Sequence, residues 1–490
     1  MLSILTAVAG LLALYVICTS IYYITFHPLA NIPGPKICGI TRIPYWLVAL
    51  KGEDVKWMKA LHDKYGPVVR FGPTDVSYTI GGAWNDVAGP KDSEKAQEFA
   101  IQPVNGVRSM LTTDVENHAR MRRLFSPAFS ERALKQQQPL FKKYADLLSY
   151  KVSEVGKDGA NPIEMCRLFN FATFDVMAEL CFGDHLNLLA KNEYSPWVAS
   201  IFGSLEMLPI ASIINYYPII NALFTRFEPK SLIQQRVTHF KHSAERVNRR
   251  LEKGSDQPDI WNLVLDAKEG KGLTVDEMHS NAELFMLAGS ETTATLLSGC
   301  LYYLLSYPDK MGILLHEIRG KFVKADEITF ERLADLKYLN ACMKESMRIY
   351  PPVPIGSPRL VSSGGQQILG NYIPAATRVS VHHWSTYHSE SNFKDADIFV
   401  PERWLKTEAR YAGDALDALQ PFSFGPRNCL GQNMAMHEAR LLLATLLFNY
   451  DFELCKESKD WPDQKSFALW MKNPLMVYAK PVSSHAKLHI

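Results

Sequence analysis

The chain contains no Cys-x-x-Cys pair; its eight cysteines, at 18, 38, 166, 181, 300, 342, 429 and 455, are scattered over 490 residues. That excludes a disulfide framework and a structural zinc site of ordinary ligand spacing, and it fits a reducing compartment. No Asn-x-Ser/Thr sequon occurs, in keeping with a body that stays out of the secretory lumen. Excess charge is also lacking. The net charge is only +2, so the global balance gives no footing for a nucleic-acid partner. Internal repeats, low-complexity tracts and a flexible interdomain linker are absent, and no GxGxxG follows a strand to cradle a dinucleotide. What remains is ordinary globular material, 47% apolar and 21% charged, ample for one large core.

Residues 1–26 carry no charged side chain at all. Such a run exceeds the about 20 residues needed to cross a bilayer. A cleaved signal peptide fits poorly, because no basic segment precedes the run and no small-residue cleavage site follows. The first charges after it are Lys36, Arg42 and Lys51, a positive flank that places the body on the cytoplasmic side. Ile32-Pro33-Gly34-Pro35 then makes a stiff bend. The expected division is an anchor at 1–26, a Pro-Gly-Pro hinge at 27–36 and the main domain at 37–490.

Residues 68–71 and 76–80 read as short strands between Gly-Pro and Gly-Gly turns. From about Gln97 to Tyr350 the pattern is mainly helical. Residues 195–227 are unusually apolar but broken by Pro209 and Pro218. They read equally as core helices and as a membrane-dipping lid over a lipophilic site. One helix stands out. It opens on a capping box, Thr274-Val-Asp276-Glu277, and runs to about Ser306 before Pro308 stops it. In its middle, Ala288-Gly289-Ser290-Glu291-Thr292 puts small residues where a bulky partner can lie. Ala288 and Thr292 share a face, and Glu291 with Thr292 offers groups for a proton relay. Taken alone, this stretch reads as well as a packed helix with Glu291 solvated.

The most informative residue is Cys429, in Phe422-Ser-Phe-Gly425-Pro-Arg427-Asn-Cys429-Leu-Gly431. A thiol that only packs needs no such surroundings. Gly425 and Gly431 allow close approach of something flat or a sharp turn. Arg427 brings a cation that can lower the thiol pKa or hold an anion. A thiolate is one of the few axial ligands that proteins give to haem iron. Three further motifs accompany it: Glu345-Ser-Met-Arg348 before Tyr350-Pro351-Pro352, Pro401-Glu402-Arg403-Trp404, and His118-Ala-Arg-Met-Arg122-Arg123.

In that order, ending at Cys429, these motifs resemble the cytochrome P450 family of haem-thiolate monooxygenases over nearly the whole chain. The resemblance implies a mainly α fold with a smaller β region (α+β). Haem b lies between the long central helix and the ligand loop. Cys429 is then the axial ligand and Phe422 the ring packed beside it. Arg427, Arg122 and Arg359 match positions that bind haem propionates, with Ala288, Gly425 and Gly431 making room for the porphyrin. Glu345, Arg348 and Arg403 match the buried ion network under the haem, and Glu291 with Thr292 the proton-delivering pair. His118 departs from the pattern, since relatives often carry tryptophan there. It is expected to contact the haem and to titrate near neutrality.

By the same resemblance the reaction uses O2 and electrons from NADPH. They pass indirectly, through a separate NADPH-cytochrome P450 reductase, with cytochrome b5 as a second donor, at the endoplasmic reticulum membrane. Arg120, Arg123, Arg132, Lys135 and Arg440 read either as the docking face or as solvated charges. The expected pocket draws on 103–111, 195–227, 285–292, 353–357 and 467–470, is mostly apolar, and has Asn105 and Ser290 as orienting groups. The runs at 26–36 and 64–73 are similar to filamentous-fungal members of secondary metabolism, the group of the isotrichodermin C-15 hydroxylases. That implies hydroxylation or epoxidation of a terpenoid or polyketide intermediate. Desaturation, ring coupling or rearrangement stays open, as do a non-enzymatic membrane haem sensor and a Cys429 that ligates nothing.

Overall fold

The computed structural model describes residues 2–96, 103–195, 197–199, 205–227, 229–253, 259–261 and 272–482. Met1 of the expected anchor, Gln97 at the start of the expected helical stretch, and residues 196 and 200–204 of the expected 195–227 region lie outside these, as do other parts of 37–490. The first helix, α1 (Leu2–Ile21), runs into a π-helical turn at Tyr22–Phe26. Across the two, Thr6–Phe26 has a mean hydropathy of 2.0 and its most apolar window is wholly unburied. This fits a membrane anchor. The hinge after it is clamped to the body. The Arg70 backbone N–H donates to Pro33 O at 2.7 Å, and Arg70 Nη1 reaches Tyr23 O at 2.9 Å. The expected positive flank loses one member: Arg42 is buried and pairs with Asp75 at 3.4 Å, so only Lys36 and Lys51 remain at the surface.

The helix α2 (Asp54–Tyr65) leads into a five-stranded sheet that does more for the site than its size suggests. β1 (Val68–Gly72) and β2 (Asp75–Tyr78) form an antiparallel hairpin, and the short helix α3 (Ala83–Ala88) follows. β3 (Glu94–Lys95), β4 (Arg359–Leu360) and β5 (Arg378–Val381) complete the order β1-β2-β5-β4-β3. Lys95 lies directly opposite Arg359 in the antiparallel pair β3–β4. Directly opposed residues put their side chains on the same face. Two cations distant in sequence therefore point one way.

The helical body is built from α4 (Val115–Phe125), α5 (Glu131–Gly156), α6 (Met165–Phe182), α7 (Leu208–Tyr216), α8 (Pro218–Phe227) and the 32-residue α9 (Val275–Ser306), followed by α10 (Lys337–Ile349), α11 (His383–Tyr387) and α12 (Gln432–Asn449). α9 begins as its sequence predicts. Thr274 Oγ1 accepts from the Glu277 N–H at 3.2 Å, and Glu277 Oε2 accepts from the Thr274 N–H at 2.9 Å. It is long and apolar enough to cross a membrane, yet 72% of its most apolar window is enclosed by neighbouring helices, so it is the axis of the core. Gly289 has a different use from the one expected. A Cβ there would meet Met177 Sδ at 2.5 Å, so its smallness admits α6. α7 and α8 meet at 116°. α8 presents Ile219, Leu223 and Phe227 to solvent, at 77%, 56% and 76% exposure, and buries none of its residues. Core helices are thereby excluded for α8.

Four histidines are buried where α2 packs on α11 and its flanks: His62, His382, His383 and His388. Burial drives His62 and His383 down to about 4, His388 to about 3 and His382 well below its ordinary value. A base whose folded pKa is depressed binds fewer protons folded than unfolded. Its contribution is complete above the unfolded value near 6.5 and is lost as the pH falls toward 4. Stability should drop by up to about 1.4 kcal/mol per pH unit for each histidine below pH 6.5. Buried Asp54, pushed up to about 7, and Glu438, raised well above its ordinary value, gain protons over the same range and work the other way. The check is therefore the difference in denaturant midpoint between wild type and His383→Phe at pH 7.5, 6.5 and 5.5; a difference that stays constant with pH would contradict it.

Candidate functional site

The loop Phe422–Gly431 is held from three sides. Cys429 N–H donates to Phe422 O at 2.8 Å, closing the loop on itself, while the half-buried Phe422 ring packs against the main core. Gly425 has φ +73°, and a Cβ there would meet Ala88 O at 2.1 Å. Only glycine suits that backbone and that contact. The room expected at Gly425 for a porphyrin is thus taken by the end of α3. Gly431 differs, since nothing lies closer than 3.9 Å to a Cβ built on it. From α4, Arg122 Nη1 donates to Asn428 O at 2.7 Å and Nη2 to Asn428 Oδ1 at 2.5 Å. The arginine expected to bind a propionate therefore also fixes the residue before Cys429.

Cys429 is exposed, whereas six of the other cysteines are buried. Its pKa is nevertheless raised, chiefly because surrounding protein displaces bulk water. Both statements hold for a thiol on the floor of a crevice, reachable by solvent yet walled by protein. A hydrogen bond from the Gly431 N–H and the charges of Arg122 and Lys95 act the other way. Gly431 is the N-cap of α12, so the sulfur faces a helix start with free N–H groups.

Around this crevice stand cations with little to neutralise them. Arg359 is 1% exposed, and none of its three guanidinium nitrogens has a hydrogen-bond partner. Arg427 gives Nη2 to Thr113 O at 3.0 Å and leaves Nη1 without a partner. Burial, and then Arg427, bring Arg359 down to about 10. Lys95 is pushed to about 7 by burial and by Arg359 and Arg427. His118, buried at the base of α4, falls to about 4 through burial and the neighbouring cations. In this arrangement it is neutral, and the expected titration near neutrality is corrected. The acids acting on Arg427 are Glu94 and Asp114. A buried, unpaired guanidinium is costly unless an anion meets it. Two carboxylates side by side, as on a porphyrin edge, suit this group; the residues fit a haem.

The opposite wall comes from α9, which packs against α12. Ala288 is exposed and Thr292 half-buried on one face, with Thr292 Oγ1 donating to Ala288 O at 2.6 Å. Glu291 is not beside them. It is 2% exposed and ion-paired with Lys472, so the expected pair is split between the open face and the interior. Asn105 and Ser290 also have other duties. Asn105 ties its loop to Asp276 O at 3.0 Å, and Ser290 donates to Thr173 O at 3.3 Å on α6. Trp470 is buried, donates to Pro351 O at 2.8 Å and stacks on Tyr350, leaving Phe467 to line a cavity that it shares with Ile355 and Leu208.

Under the site, Glu345 binds Arg348 at 2.7 and 3.0 Å and Arg403 at 3.2 Å, all three 2% exposed or less. The network is larger than the expected triad. Trp404 Nε1 and the Val400 N–H each donate to Glu345 at 2.8 Å, and Asp414 pairs with Arg403. Of the expected docking cations, Arg120 pairs with Glu277 and Lys135 with Glu331, Arg440 is half-buried, and Arg123 and Arg132 are exposed. Sequence reasoning missed Lys95, Lys472 and Asp414. Each lies in a short strand or loop with no motif, and only the folded chain brings it to its partners.

The family model for cytochrome P450 matches residues 39–479. Among curated proteins, the chain is 46% identical over 482 residues to the cytochrome P450 monooxygenase efuB of Hormonema carpetanum, covering 96% of this chain and 95% of that one. It is 45% identical over 464 residues to the cytochrome P450 monooxygenase FUM2 of Gibberella moniliformis, covering 93% and 98%. It is 37% identical over 484 residues to the averantin hydroxylase of Dothistroma septosporum, covering 97% and 91%. The chain belongs to the cytochrome P450 family, as an oxygen-incorporating oxidoreductase whose cofactor is a haem-thiolate iron.

Proposed function

We propose that this protein is a membrane-anchored monooxygenase that inserts one oxygen atom from O2, by hydroxylation or epoxidation, into a lipophilic secondary-metabolite intermediate of terpenoid or polyketide type. The observation that carries the reading is the exposed Cys429 thiol in a crevice ringed by Lys95, Arg122, Arg359 and Arg427. The kinship with fungal monooxygenases, one of them named an averantin hydroxylase, supports the substrate class. Electrons come from NADPH through a separate reductase, with cytochrome b5 as a second donor. Arg123 and Arg132 are the exposed cations offered for docking. The unburied Thr6–Phe26 helix and the apolar face of α8 support seating on the endoplasmic reticulum membrane, the body facing the cytosol.

When bound, haem b supplies dioxygen activation, which thiolate ligation favours. The chain supplies the rest. Cys429 holds the iron. Arg359, Arg427 and Arg122, with Lys95 and His118, would hold the propionates by charge-assisted hydrogen bonds. Ala288 leaves the open face of α9 clear; Thr292 holds a proton there, and Glu291 is the acid that resupplies it from the buried side. The apolar lining orients the substrate and excludes water.

Reduced protein under carbon monoxide should show the thiolate-haem Soret band, and Cys429→Ala should abolish it. A mutant that keeps the band removes Cys429 as the ligand. Metabolite profiling of a host that expresses the chain with a reductase and candidate precursors tests the substrate class. A product with no added oxygen from any lipophilic precursor would count against monooxygenation.

A further inference from the structure

Glu291 and Thr292 are adjacent in sequence but point in different directions. Successive residues of a helix are turned by about 100°. Thr292 stays on the half-open face with Ala288, while Glu291 turns into the body. There Lys472, which follows the strand Leu469–Met471, meets its carboxylate; their side chains are 5% and 2% exposed. Lys472 Nζ also donates to Thr295 Oγ1 at 2.9 Å, one turn along the same face of α9. Glu291 Oε2 is buried with no hydrogen-bond partner. Burial raises the Glu291 pKa and the Lys472 ammonium opposes that rise. The other ionisable groups that feel the carboxylate are Cys166 at the head of α6, Tyr194 and Tyr350, with Glu164 acting on the first two. A buried ion pair adds little stability over an apolar filling of the same volume. Packing alone therefore gives no reason for a charged pair at this point of α9.

We propose that Lys472 is a positioning residue for proton delivery: it holds the Glu291 carboxylate on the buried side of α9 with one oxygen open, and the pair must part before Glu291 serves the Thr292 side. This rests on reading Glu291 and Thr292 as the proton-handling pair. The protons balance. Glu291 in its acid form gives one proton toward Thr292 Oγ1, and Thr292 passes its own hydroxyl proton into the crevice. The carboxylate then returns to Lys472 until it takes a proton from a solvent hydronium ion, whose water goes back to the bulk. Lys472 keeps its three protons throughout.

The test uses full-length haem-loaded protein and needs no substrate. NADPH, a flavoprotein reductase and O2 are supplied, and the electrons are apportioned between peroxide (two per O2) and water (four per O2) across pH. Lys472→Met, and Lys472→Gln as a milder second variant, should move the pH at which the two products are equal upward by at least one unit. Lys472→Arg should leave it in place. Independently of turnover, infrared spectra of Lys472→Met at neutral pH should show a protonated-carboxyl band that is missing from the wild type and from the Lys472→Met/Glu291→Gln double variant. An unmoved profile with no new band overturns the proposal, as does a Lys472→Arg variant as altered as Lys472→Met. A wild type without the thiolate-haem spectrum overturns the underlying reading, and this inference with it.

Discussion

Glu345→Ala is expected to leave the chain unable to form a haem-binding body. Glu345 is wholly buried, and four groups give hydrogen bonds to its two oxygens: Arg348, Arg403, Trp404 and the Val400 N–H. Arg348 in turn ties down the carbonyls of Tyr387, Ala396 and Ile398 at 2.6–2.9 Å. The network therefore joins α10 to the loop that carries Arg403. Removing the one carboxylate leaves the Arg348 guanidinium in the interior with no acid beside it, and Arg403 with Asp414 alone. Breaking a buried pair in this way costs about 3–5 kcal/mol, a large part of the 5–15 kcal/mol typical of a native protein. Soluble yield, haem content and thermal midpoint measure the effect. Glu345→Gln, which keeps the shape and loses the charge, should fall most of the way to alanine. Full haem content with a midpoint within a few degrees of wild type would show the network to be dispensable.

Arg359→Met should change the haem-free and haem-loaded proteins in opposite directions. Without an anion, Arg359 is a buried guanidinium with no hydrogen-bond partner, beside Arg427 and Lys95. Methionine fills similar space and removes that charge, so the haem-free variant should unfold at higher denaturant than wild type. The haem-loaded variant loses charge-assisted hydrogen bonds worth about 1.5–3 kcal/mol each. Haem transfer to apomyoglobin should then run roughly 10- to 100-fold faster. A variant that is weaker without haem, or that retains haem as well as wild type, would remove Arg359 from the propionate site.

Sequence patterns marked the helical elements well where a local rule decides them. The Thr274–Glu277 capping box and Pro308 bound α9 because helix ends are set within a turn or two. The strand hairpin at β1–β2 and the (i, i+3) contact of Glu345 with Arg348 are local in the same sense. Direction around a helix was the weak point. Small residues at 288–292 suggested one crowded face, but Gly289 serves Met177, Ser290 serves Thr173, and Glu291 serves Lys472. Each contact is with an element far away in sequence, and composition carries no record of which neighbour lies on which side.

The same division runs through the whole site. The sequence by itself determined the thiol, the sharp turn around it, the basic and acidic motifs and the apolar first helix, since these depend on residue chemistry and short-range geometry. Tertiary structure alone decided that Gly425 makes way for the Ala88 carbonyl, and that Lys95 stands opposite Arg359 in β3–β4. It also decided that His118 is neutral among cations and that Glu291 is held by Lys472 rather than beside Thr292. Charge and burial are set by everything within several ångströms, whatever its place in the chain. The chemistry of each group was therefore legible early, and its working state only once the neighbours were in place.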